Sequence, residues 1–234
     1  MKASLSVQTL TFRTHRDGKI ESQPIALRSA VIAGWTGRDP IAREKHIAEL
    51  EALGVARPKS APIYYRVSAA RLTTSSQIEA TGENSSGEVE LVLIRDAERL
   101  WLGVGSDHTD RKVETYCVTF SKQMCDKPMA PELWAFDDVR DHWDSLELRS
   151  WIAEGGEQRL YQQGSAAAML PPDAIIAGFA SNGSLAEGTA MFCGTLAAKG
   201  GIRPSKRFSF ELFDPVRSRR IVHAYDIVVL PVEG

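Results

Sequence analysis

Cysteine is scarce in this chain: Cys117, Cys125 and Cys193 are the only three in 234 residues. They are odd in number and form no C-x-x-C pair. That excludes a disulfide framework and a cysteine zinc site, and reduced thiols in a cytosol are the simplest reading. Long apolar runs are missing too. None approaches the roughly 20 residues a membrane helix needs, and Met1 to Gln8 lacks the apolar core of a signal peptide. Charge of one sign is also lacking, the formal net charge being -2. The stretches Lys206-Arg207 and Arg217 to Arg220 are too short for a phosphate-tracking face. The expectation is a soluble cytoplasmic protein with no nucleic-acid or membrane partner.

Several catalytic signatures are absent as well. There is no H-E-x-x-H, no G-x-S-x-G elbow, no P-loop and no G-x-G-x-x-G, and Gly103-Val104-Gly105 is too short a match to count. What is present is ordinary globular stock, 43% hydrophobic and 25% charged, in a length that suits one large domain.

The pattern is mostly that of strands. Leu5 to Phe12 alternates, Ile25 to Ile32 is apolar, and Asp17-Gly18 between them is a hairpin turn. Asp39 followed by Pro40 predicts a helix from about Ile41 to Leu53 that ends at Gly54. Strands are predicted at Ile63 to Val67, Gly87 to Ile94, Leu100 to Val104 and Val113 to Phe120. Helical stretches are expected within Glu132 to Trp151, and short helices at Ala166 to Leu170 and Asp173 to Phe179. Thr189 to Cys193, Phe208 to Leu212 and Ile221 to Leu230 close the chain as strands. Many short strands with few helices make an α+β domain dominated by β-structure.

Three polar groupings stand out. In Gly87-Glu88-Val89-Glu90-Leu91 the alternation of a strand puts Glu88 and Glu90 on one side, with Val89, Leu91 and Leu93 on the other. Such a pair is either two solvated glutamates on a half-exposed strand or two oxygen ligands for a hard cation such as Mg²⁺. Asp107, in the polar turn Ser106 to Lys112, either completes that oxygen set or pairs with Arg111 or Lys112 in a hydrated loop. His46 and Glu49, three apart on the first helix, share a face. They read as a surface pair or as an imidazole oriented by a carboxylate to act as a base. Lys122 reads as a solvated lysine or as an anion binder, and Gly194-Thr195 first as a turn after a strand.

Taken in order, these segments resemble the fumarylacetoacetate hydrolase superfamily, in its C-terminal catalytic domain, from about residue 30 onward and in a distant bacterial branch. Arg43-Glu44-Lys45-His46-Ile47-Ala48-Glu49 resembles N-Y-x-x-H-x-x-E, Gly87 to Leu91 resembles the E-x-E-L strand, and Ser106 to Arg111 resembles N-D-x-S-x-R-D. Ser121-Lys122-Gln123 is similar to the lysine segment, and Gly155 to Leu170 to the N-G-E…Q-x-G-x-T…M run. Leu185 to Thr195 resembles L-x-x-G-D-x-I-x-T-G-T.

The resemblance implies one domain over residues 1–234, a mixed β-sandwich roll with short peripheral helices. N-terminal strands would span 1–33, a lid-like segment 34–60 and the roll's core 61–234. It implies a Mg²⁺ or Mn²⁺ site on Glu88, Glu90 and Asp107, and a water-activating dyad of His46 and Glu49. Lys122 would be the catalytic amine, with Arg111, Gly194 and Thr195 at the substrate. The implied activity is metal-dependent cleavage of a C–C bond in a small acylpyruvate-like oxo-acid, in a homodimer. Decarboxylase, hydratase, isomerase and non-catalytic metabolite binder are the alternatives. The chain departs from the pattern in having Ser106 for Asn, Thr189 for Asp, and only 17 positions from Glu90 to Asp107, fewer than the family has.

Overall fold

The fold is described from a computed structural model covering residues 7–52 and 57–233, apart from the side chains of His46, Glu49 and Leu50. The first three strands are β1 (Gln8–Arg16), β2 (Lys19–Leu27) and β3 (Ser29–Gly34). Asp17 and Gly18 turn β1 into β2 with φ of 49° and 75°, the left-handed pair that a two-residue hairpin demands. Helix α1 (Pro40–Ala52) follows. Asp39 caps it as expected, its Oδ1 accepting the Ile41 and Ala42 amides at 2.8 and 3.2 Å. The Gly54 stop lies outside the described residues.

The short strands β4 (Ile63–Val67), β5 (Leu72–Thr73), β6 (Gln77–Thr81) and β7 (Ser85–Ser86) lead to a hairpin of β8 (Val89–Asp96) and β9 (Arg99–Ser106). After β10 (Thr109–Asp110) come α2 (Arg111–Tyr116) and α3 (Val118–Met124). This corrects the strand predicted over Val113 to Phe120. The β-branched and aromatic residues there favour strand only weakly. Against them, Asp110 Oδ1 caps the Val113 amide at 2.8 Å, and Cys117, in extended conformation, separates two short helices.

Strands β11 (Lys127–Pro128) and β12 (Glu132–Ala135) follow. The helical stretches expected before Trp151 are two 3₁₀ pieces, Phe136–Asp138 and Arg140–Ser145. A hairpin of β13 (Glu147–Glu154) and β14 (Glu157–Ser165), then α4 (Pro172–Phe179), precede β15 (Thr189–Thr195), β16 (Arg207–Asp214) and β17 (Arg219–Leu230).

Eight strands form one sheet in the order β2-β1-β12-β9-β8-β15-β3-β4, and five form a second, β14-β13-β16-β17-β6. The chain is therefore mainly β, with short helices. Between the sheets lies one core, in which Val89, Leu91, Leu93 and Val104 meet Leu148, Phe208, Phe210 and Tyr225. The opposite face of the eight-stranded sheet is also buried, around Phe12, Ile25, Ile32, Tyr65, Val92, Ile94 and Phe192. Apolar surface on both faces of β8 buries Glu90 at 2% exposure, while Glu88, just before the strand, stays partly exposed. No helix among the described residues is long and apolar enough to cross a membrane, and the three cysteines are free thiols.

Candidate metal and anion site

The β8–β9 hairpin builds the site. Ala97 in left-handed conformation (φ 49°) makes the tight turn, and the register pairs Val89 with Ser106 and Glu90 with Gly105. One step beyond, the Asp107 amide donates to Glu88 O at 3.0 Å, so Asp107 stands opposite Glu88. A tight turn thus spans the shortened distance from Glu90 to Asp107, and strand alternation puts all three carboxylates on one face. They bring one oxygen each to within 4.8 Å of one another. Glu90 and Asp107 are 2% and 0% exposed.

Cations converge on the same point. Lys122, in the last turn of α3, forms an ion pair with Asp107 Oδ2 and lies 3.8 Å from Glu88 Oε2. Arg111, the first residue of α2, places Nη2 3.2 Å from Glu88 Oε1, while its Nη1 donates to Glu114 at 2.8 Å and its Nε to Ser86 Oγ at 2.7 Å. Sequence reasoning missed Lys127. It is fully buried and donates to His108 O at 2.7 Å and Cys125 O at 3.0 Å, with Asp107 Oδ1 3.3 Å away. That last approach has ion-pair distance without hydrogen-bond geometry, since Asp107 Oδ1 has no hydrogen-bond partner. The only trace of Lys127 in the sequence is a lysine next to Asp126 in the otherwise apolar stretch Met124 to Ala130.

The charges act unequally on the three acids. Burial pushes the Glu90 carboxyl well above its ordinary range, and Asp107 and Glu88 add like charge. Lys122 and the Gly194 N–H, which donates to Glu90 Oε2 at 2.8 Å, offset this only in part. Burial would raise Asp107 too, but Lys122, Lys127 and Arg111 outweigh it and hold that carboxyl below the usual range. For Lys122 burial works against the charged form, and Asp107 and Glu88 more than compensate, so its ammonium is raised above the ordinary lysine value. His108, next to Asp107, is pushed down to about 3 by burial, then by Lys127 and Arg111. Its neutral ring bonds the Tyr225 hydroxyl at 2.9 Å.

Gly194 and Thr195 are at the site, but their polar groups face protein. The Thr195 hydroxyl donates to Val89 O and accepts from Gln162 Nε2, both at 2.8 Å. Gln162, also missed from sequence, accepts the Val89 amide at 3.0 Å and so fixes the peptide between the two glutamates. His46 and Glu49 fall on α1, and their side chains lie outside the described residues. A cavity of about 480 Å³, lined by Phe136, His142, Trp143 and Asp173 among others, shares no residue with the carboxylate cluster. The chemistry is concentrated elsewhere.

Three convergent oxygen donors, one under only partly offset like charge and one carrying an unbonded oxygen, fit a hard divalent cation. Beside them, the ammonium of Lys122 and the guanidinium of Arg111 suit a carboxylate or oxyanion.

The family model described as "Protein of unknown function (DUF2848)" matches residues 33–225, and the chain belongs to that family. No curated protein matches it. Several solved structures share its fold. The structure of Cg1458 superposes with a TM-score of 0.62 at 14% identity, covering 92% of this chain and 83% of that one. A 2-keto-3-deoxy-D-arabinonate dehydratase complexed with magnesium and 2,5-dioxopentanoate gives 0.60 at 14% identity, with 92% and 78% covered. The 4-oxalocrotonate decarboxylase from Pseudomonas putida G7, complexed with magnesium and adipate, gives 0.54 at 13% identity, with 85% and 77% covered.

Proposed function

We propose that this chain is a divalent-metal-dependent enzyme of the fumarylacetoacetate hydrolase type that cleaves a C–C bond in a small, acylpyruvate-like oxo-acid. The observation that carries the reading is the convergence of Glu88, Glu90 and Asp107 to within 4.8 Å, with Lys122 and Arg111 against them. Two of the fold neighbours, described as a dehydratase and a decarboxylase of small oxo-acids and complexed with magnesium, support it. They also make a lyase reaction at the same site the second reading.

Glu88, Glu90 and Asp107 would hold Mg²⁺ or Mn²⁺, which when bound supplies Lewis-acid polarisation of the substrate's carboxylate and oxo group. Arg111 buttresses Glu88, and Gln162 and Gly194 fix the glutamate strand. Lys122 carries a full positive charge to the substrate's oxo oxygen and stabilises the negative charge that builds there. His46, oriented by Glu49, takes a proton from water, and the hydroxide adds to the distal acyl carbon. The bond between that carbon and the methylene breaks, and the electron pair moves to the oxo-acid fragment as its enolate. Protonation of the enolate carbon gives a 2-oxo acid, and the acyl group leaves as a carboxylate. Water is consumed and nothing is oxidised. The site would work as one half of a homodimer in the cytoplasm.

The test is turnover of acetylpyruvate by Mg²⁺-loaded protein, reading pyruvate and acetate in equal amounts, beside carbon dioxide release from oxaloacetate. Acetylpyruvate cleavage lost in Glu88→Ala and Lys122→Ala supports hydrolysis. Carbon dioxide release alone moves the assignment to the lyase reading. Turnover that persists in Glu88→Ala overturns both.

A further inference from the structure

Strand β15 slips against β8 where the glutamates stand. Phe192 pairs with Val92 and Thr195 with Glu90, so three steps along β15 answer two along β8. Such a bulge leaves backbone groups without ladder partners and is common beside active sites. Gly194 lies within it at a φ of 97°. On the other edge of β8 the Asp107 amide donates to Glu88 O. By the alternation of an antiparallel ladder, Val89 then turns its own N–H and C=O to the bulged side. Val89 is fully buried, and buried backbone groups must find partners.

Two side chains supply them, and their donors can be assigned. The Val89 amide can only donate, so the Gln162 atom 3.0 Å from it is the amide oxygen Oε1, which fixes that side chain's orientation. Oε1 also accepts from Ser150 Oγ at 2.9 Å. Gln162 Nε2 is then the donating end, to Thr195 Oγ1 at 2.8 Å and to Leu196 O at 2.6 Å. Thr195 Oγ1 accepts there and gives its own proton to Val89 O at 2.8 Å. A hydroxyl has one proton to give. A substrate carboxylate would need it, and Val89 O has taken it.

We propose that Thr195 and Gln162 are positioning residues that grip Val89 and so aim Glu88 and Glu90 at the metal, and that Thr195 makes no bond to the substrate. The inference rests on the functional reading above and departs from the substrate contact that the resemblance implies for Thr195. The Val89 N–H and C=O belong to the two peptides that join it to Glu88 and Glu90, so both joints are held. Groups that orient metal ligands from behind set the affinity of the site.

The test is calorimetric titration of Mg²⁺ into chelator-stripped protein, and of oxalate into Mg²⁺-saturated protein. Thr195→Val, which keeps the shape and loses the hydroxyl, is expected to weaken Mg²⁺ about tenfold while oxalate affinity stays within about twofold. Gln162→Leu should show the same pattern. Thr195→Ser, which keeps the hydroxyl, should bind both as the wild type does. Should Thr195→Val not fold, Thr195→Cys puts a weaker donor in the same place and is expected to lose about threefold in Mg²⁺ affinity. Oxalate affinity that falls in a Thr195 variant makes Thr195 a substrate contact and overturns the proposal. So does Mg²⁺ affinity unchanged in Thr195→Val or, in its place, Thr195→Cys. A wild type that binds no Mg²⁺ overturns the proposal together with the reading beneath it.

Discussion

Two buried acidic centres in this molecule make a useful contrast. Asp214, fully buried at the end of β16, accepts from the Val216 and Arg217 amides at 3.1 Å each, from His142 Nε2 at 3.0 Å and from Arg219 Nε at 3.1 Å. Burial alone would raise its carboxyl, but the Arg217 N–H, His142 and Arg219 outweigh it and leave it below the usual range. One acid has four donors there. At the β8–β9 hairpin three acids share a space of 4.8 Å, and Glu90 has one backbone donor against two like charges. The first centre is fully paired. At the second, Lys122, Lys127 and Arg111 hold Asp107 low and Glu90 alone is left under charge stress, a pattern that fits a site with a cation to gain.

The contrast can be broken by substitution, and the largest effect is expected at the satisfied centre. Asp214→Ala leaves Arg219 and His142 facing a gap and should cost about 3–5 kcal/mol in denaturant unfolding, with Mg²⁺ affinity unchanged in the protein that remains folded. A loss below about 1 kcal/mol would mean the network contributes little. Next comes Gly194→Ala, which combines a φ of 97° with overlap on Thr36. About 2–3 kcal/mol is expected. Gly18→Ala, at φ 75° in open space, should cost only about 1 kcal/mol. Equal costs would show that the contact with Thr36 is not tight.

Acid sharpens the same comparison. His108 sits at about 3 in the fold, below its ordinary value near 6.5. The unfolded chain therefore takes up a proton that the folded chain refuses. Stability should fall as pH drops from about 6.5 towards 3, by up to about 1.4 kcal/mol per pH unit from this group. Asp107, held low, adds loss in the same direction as pH falls through its own folded value. Glu90, held high, acts oppositely, because the cost of its charge is relieved as pH falls. His108→Asn should flatten the wild-type slope between about pH 6.5 and 4.5, and parallel slopes would contradict the assignment. The smallest effect is at the stressed centre. Glu90→Gln keeps the Gly194 hydrogen bond and removes a like charge, so it should raise stability by about 1 kcal/mol while weakening Mg²⁺ binding. A loss of stability would mean that the glutamate is not stressed.

Much of this was legible in the chain and some was not, for physical reasons. The apolar run from Val89 to Ile94 and the Asp17-Gly18 turn announce strands and hairpin because both signals are local. The same locality put Asp39 at the start of α1. The segment Val113 to Phe120 misled because its residues favour strand, while the Asp110 cap that wins is a single side chain. Glu88 and Glu90 could be placed on one face, but nothing local showed that Val92 and Ile94, further along that face, would bury it as well. Lys127 was invisible because the His108 carbonyl it bonds and the Asp107 carboxylate it faces come to it only in the folded chain.

The central claim is that Glu88, Glu90 and Asp107 hold a divalent ion. Calorimetric titration of Mg²⁺ and Mn²⁺ into chelator-stripped protein, beside the Glu88→Ala/Glu90→Ala double variant, tests it most directly. Saturable binding in the wild type that disappears in the variant is the expected result. No binding in the wild type, or equal binding in both, would contradict it.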